Sequence, residues 1–68
     1  MENAMGVTLS EAEAQVVEIY RALEAVLRDH GDDLPPFARR NAAKALAALW
    51  QVMNGLDMEP AQPYDLGA

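Results

Sequence analysis

The stretch 35–55, PPFARRNAAKALAALWQVMNG, constrains the chain more than any other. It opens on two prolines, which suit a first helical turn because proline has no N–H to lose there. It is rich in alanine, the best helix former. It ends at Asn54–Gly55, a pair suited to the left-handed residue that closes a helix. Its formal charges, Arg39, Arg40 and Lys44, all fall in the first half. A helix whose second half is apolar nearly all round has to be covered by something.

Little else in the chain is available to cover it. Sixty-eight residues make one domain at most, and a chain of this size buries only about 60% of the surface its unfolded form exposes. There is no cysteine, so neither a disulfide nor a thiolate metal site can staple the fold. Oligomerisation is the remedy left. The opening MENAMGVTLSEAE has no basic start and no apolar core, unlike a signal peptide. No apolar run approaches the roughly 20 residues of a membrane span. A cytoplasmic protein without a membrane partner is therefore expected.

The remaining segments fit a partner helix. Thr8 with Glu11, or Ser10 with Glu13, could form a capping box at a helix start. From there Leu9, Val16, Leu23 and His30 recur every seven residues, with Ala12, Ile19 and Val26 at the intervening position. Tyr20 and Leu27 widen this stripe, which has the spacing of a helix packed on other helices. Glu18, Arg21, Glu24 and Arg28 mark the solvated side, where Glu24 and Arg28 sit four apart in the favoured order. Gly31 permits a left-handed cap, and the prolines forbid the first helix from continuing. In the second helix Ala42, Leu49 and Leu56 form the heptad line, with Ala45 and Val52 between, widened by Leu46 and Met53. Trp50 lies to one side.

The reading is thus all-α: a two-helix antiparallel hairpin over 9–55, with a helix at 9–30, a loop at 31–35 and a helix at 36–54. Residues 1–8 are read as disordered and 56–68 as an extended acidic tail. A lone hairpin leaves apolar surface uncovered, so two are expected to dimerise into a four-helix bundle with two-fold symmetry. Interface residues are expected at Leu23, Val26, Leu46, Leu49, Trp50, Val52, Met53 and Leu56. In the tail, Tyr64 and Leu66 are spaced like anchors of an extended peptide, either docking on a partner or strapping the chain's own bundle.

Sites of chemistry are hard to build. His30 has Asp29, Asp32 and Asp33 around it, but the spacing matches no calcium loop and one histidine with flexible carboxylates makes a poor cage. Ser10 and His30 lie at opposite ends of one helix, roughly 30 Å apart at about 1.5 Å per residue, which excludes a triad within one chain. No glycine-rich phosphate loop and no Glu-x-x-His pattern is present. No catalytic residue, metal or cofactor is expected, and the protein is not read as an enzyme.

Net charge is −6, with acids at both ends and a nearly neutral middle. Such a chain repels nucleic acid over most of its surface. Arg39, Arg40 and Lys44 form the one basic cluster, a candidate anion contact. The leading expectation is a small dimeric, non-catalytic protein-interaction module, an adaptor or regulator that binds itself and another protein. The alternative is an acidic antitoxin or DNA-mimic-like inhibitor of a basic partner. A direct nucleic-acid role through Arg39, Arg40 and Lys44 ranks third.

Overall fold

The computed structural model describes residues 1–58. Over these residues the chain is a helical hairpin: α1 (Glu11–His30), a 3-10 turn (Gly31–Asp33) and α2 (Pro36–Gly55). No strand occurs among the described residues beyond one isolated bridge between Glu2 and Thr8.

The second of the two possible capping boxes starts α1. The Ser10 hydroxyl accepts from the Glu13 N–H at 3.1 Å, and the Glu13 carboxylate accepts from the Ser10 N–H at 2.8 Å. Two N–H groups that the helix cannot satisfy internally are thereby paired. Glu11 and Glu13 lie at the positive end of the helix dipole. The helix starts two residues later than expected, because Leu9 is taken by the loop before it: its N–H donates to the Met1 carbonyl.

Residues 1–8, expected to be disordered, form a hydrogen-bonded loop. Asn3 holds it together. Its side-chain oxygen accepts from the N–H of Met5 and of Val7, and its amide donates to the Leu56 carbonyl at 3.0 Å. The Ala4 N–H donates to the Asp57 carbonyl at 2.9 Å. Carbonyls at the end of a helix lack intrahelical partners, so the N-terminal loop finds acceptors just where α2 stops. Gly6 permits the turn with φ +79.

Both expected glycine caps fall elsewhere. Gly31 is right-handed (φ −57, ψ −34) and leads into the 3-10 turn, closed by the Leu34 N–H on the Gly31 carbonyl at 3.3 Å. Leu34 and Pro35 are extended, as residues before proline prefer. Pro36 then opens α2, which has no side-chain N-cap. At its far end, the left-handed residue is Asp57 (φ 58), two positions past Gly55. The Met58 N–H reaches the Met53 carbonyl and the Asp57 N–H the Asn54 carbonyl, the paired bonds of a Schellman motif. Stopping later lets Leu56 and Met58 pack against the core, and that burial outweighs the better left-handed propensity of Gly55.

The core is one cluster between the helices. Val17, Tyr20 and Leu27 of α1 meet Ala43, Leu46 and Met53 of α2, with Leu9 from the loop also buried. Val17 and Leu46 are fully enclosed.

Candidate interaction surface

The apolar residues of each helix divide into three strips. The buried strip faces the other helix: Val17, Tyr20 and Leu27 on α1; Ala43, Leu46 and Met53 on α2. Beside it runs a half-buried strip of Val16 and Leu23 on α1 and Ala42 and Leu49 on α2, continued by Leu56 just past its end. Beyond that lies an uncovered strip: Ile19 (57% exposed) and Val26 (39%) on α1, Ala45 and Val52 (41%) on α2.

This order differs from the heptad reading in a specific way. Residues read as widening the stripe, Tyr20, Leu27, Leu46 and Met53, are buried, together with Val17 and Ala43, which that reading left out of the stripe. Residues read as the seam and its intervening line are half-buried or exposed, apart from Leu9, which is buried from the loop before α1. Helix α1 carries an apolar arc too wide for one neighbour, and α2 turns a different edge of its own arc toward α1 than the heptad line suggested.

The uncovered strips share a side of the hairpin. Each uncovered residue directly precedes a buried one: Ile19 before Tyr20, Val26 before Leu27, Ala45 before Leu46, Val52 before Met53. At about 100° per residue, both strips are therefore displaced from their buried strip in the same rotational sense. Because the helices run antiparallel, the same sense on each puts both strips above the same face. The result is a broad apolar face of Ile19, Leu23 and Val26 beside Ala45, Leu49 and Val52.

The expected interface residues distribute over all three strips. Val26 and Val52 lie on the open face, and Leu23, Leu49 and Leu56 on its half-buried floor. Leu46 and Met53 are spent inside their own chain, at 0% and 2% exposure. Trp50 packs half-buried on the core, and its indole N–H is buried without an acceptor among the described residues. Such an unmet donor costs about 1–3 kcal/mol. Ile19 lies on the same open face, and its heptad relation to Val26 is the sequence signal that places it there. Phe37, 67% exposed at the start of α2, carried no such signal. Tyr64 and Leu66 lie outside the described residues.

The charged residues around the turn are paired locally rather than gathered. Arg28 pairs with Glu24 at 3.3 Å and with Asp29 at 3.2 Å. Those carboxylates, Asp29 foremost, raise the pKa of the Arg28 guanidinium. His30 Nδ1 lies 3.7 Å from Asp33, and Arg39 lies 3.7 Å from Asp32. Asp29, Asp32 and Asp33 thus turn toward three different side chains, Arg28, Arg39 and His30. Among the described residues no three histidine or carboxylate side chains converge on a common point. Arg40 and Lys44 are exposed and make no ion pair among the described residues, so the basic cluster is split. Inside the core, burial raises the pKa of the Tyr20 phenol, and the Glu24 charge adds to this.

No described helix is long and apolar enough to cross a membrane. Comparison with protein-family models, with curated proteins and with solved structures finds no match to this chain.

Proposed function

We propose that the protein is a small, non-catalytic, dimeric interaction module of the cytoplasm, an adaptor or regulator without a cofactor. What supports this reading above all is the open apolar face formed by Ile19, Val26, Ala45 and Val52. Monomeric proteins rarely expose contiguous apolar patches larger than a few hundred Å², and large exposed patches rimmed by polar residues mark interaction sites. The face is built on rigid helices rather than on a loop, which favours recognition by shape over binding of a small molecule in a cleft.

Two measurements test the reading. Light scattering at micromolar concentration should give twice the chain mass of 7.4 kDa. A pull-down from the source cell with the full chain should recover a stoichiometric protein partner. A helical monomer that recovers none would refute the proposal. Recovery of a strongly basic partner would instead favour the acidic-inhibitor alternative.

A further inference from the structure

We propose that the open face is occupied by a second copy of this chain in one arrangement: α1 of each copy lies over α2 of the other, about a two-fold axis parallel to the helices. The proposal rests on the dimeric reading above and adds the geometry that reading leaves open. Two hairpins stacked face to face have two antiparallel choices. With the axis along the helices, α1 covers the partner's α2. With the axis across them, α1 covers the partner's α1 and α2 covers the partner's α2.

Side-chain size favours the first. The α1 half of the face is bulky, with Val16, Ile19, Leu23 and Val26. The α2 half is mostly small, with Ala38, Ala42 and Ala45 leading to Leu49 and Val52. Helices interdigitate when large residues meet small ones. Stacking α1 on α1 would crowd large side chains together, and stacking α2 on α2 would oppose alanines and leave space.

Charge favours the same choice independently. Helix α1 contains Glu11, Glu13, Glu18, Glu24 and Asp29 against Arg21 and Arg28, a net −3. Helix α2 contains Arg39, Arg40 and Lys44 and no acid, a net +3. The first arrangement sets −3 against +3 twice, whereas the second sets −3 on −3 and +3 on +3. Roughly a quarter-turn from the centre of the face, at about 100° per residue, lie Glu18 and Asp29 on α1 and Lys44 on α2. These are the flanking positions that set partner choice and orientation in helical bundles. All three are exposed, and neither Glu18 nor Lys44 has an ion pair among the described residues. In the proposed arrangement the Lys44 edge and the partner's Glu18 and Asp29 edge fall on the same side of the bundle.

The two arrangements respond oppositely to charge reversal at the edges of the face. Sedimentation equilibrium of the full chain at low sodium chloride should show self-association at micromolar concentration. Lys44→Glu should weaken it several-fold to about tenfold at low salt. An equimolar mixture of Lys44→Glu with Glu18→Lys/Asp29→Lys should regain the wild-type affinity, because each acidic edge again faces a basic one. Circular dichroism of every variant should show unchanged helicity, since the substituted side chains are exposed. Glu18→Lys/Asp29→Lys alone takes the net charge of each chain from −6 to −2 and should still weaken association, because its lysines then face the partner's Lys44; strengthening by that variant would overturn this geometry while leaving the dimeric reading standing. A fully helical monomer at every concentration would overturn both.

Discussion

Leu46 and Ala45 are adjacent in sequence and opposite in environment, as are Met53 and Val52, and Tyr20 and Ile19. The first of each pair is sealed between α1 and α2, while the second lies on the open face. Composition does not separate them, since both strips are apolar. What separates them is geometry. One neighbouring helix covers only part of a helix's circumference, and these apolar arcs extend past that limit on one side. A two-helix chain with arcs this wide either leaves them wet or recruits more surface. The buried strip accounts for the hairpin, and the open strip is left facing water in the single chain.

The largest expected effect tests that division directly. Leu46→Ala removes a fully enclosed side chain and should cost about 2–5 kcal/mol. Val52→Ala removes a side chain already 41% exposed in the single chain, and should cost the hairpin itself less than about 1 kcal/mol. Thermal melts at two protein concentrations tell them apart. The Leu46→Ala loss should appear at both concentrations, whereas the Val52→Ala loss should come mainly from weakened association and change with concentration. Equal, concentration-independent losses would erase the distinction between the strips.

Tyr20 sharpens the comparison from inside the buried strip. Burial raises its pKa, with help from Glu24. An unfolded tyrosine loses its proton near pH 10, about the reference value, and the folded one keeps its proton to higher pH. Above pH 10 the folded state therefore binds more protons than the unfolded state, and stability falls as pH rises further. Below pH 10 the contribution is fully present. Tyr20→Phe should flatten this alkaline loss in urea unfolding between pH 9 and 11. A parallel decline in both proteins would show that the phenol is not sealed in the seam.

Much of this was legible in the sequence, and the exceptions share a cause. The Ser10–Glu13 box, the prolines opening α2 and the two helices themselves follow from local chemistry, although α1 begins two residues after the start of the 9–30 reading. The buried face was misassigned because a seven-residue recurrence marks an apolar line without saying which neighbour covers it. The N-terminal loop was missed because two of its anchoring acceptors, the carbonyls of Leu56 and Asp57, lie more than fifty residues away along the chain. Gly55 and Gly31 looked like left-handed caps because glycine tolerates that conformation best, yet tolerance is not a requirement. The helix end was decided by Leu56 and Met58 reaching the core.

That last point gives the smallest and most local prediction, which changes neither strip. In the observed structure the positive φ belongs to Asp57, while Gly55 is the last residue of α2 with helical backbone, and a Cβ built on it meets nothing within 4 Å. Asp57→Gly replaces a left-handed residue that carries a Cβ, a conformation costing an L-residue about 1–2 kcal/mol and aspartate somewhat less. It also removes an acid from the negative end of the helix dipole, where it is unfavourable by about 0.3–1 kcal/mol. Added chain entropy of the unfolded glycine offsets part of both gains. Net stabilisation near 0.5–1 kcal/mol should raise the melting temperature by about 2–8 °C. Gly55→Ala should also stabilise, by up to about 1 kcal/mol, because alanine is the better helix former and nothing obstructs its methyl. Were Gly55 the left-handed cap instead, Gly55→Ala would be strained and destabilising. The sign of that one substitution therefore decides where α2 ends. Both variants should leave the self-association constant unchanged, since the end of the helix moves while the open face does not.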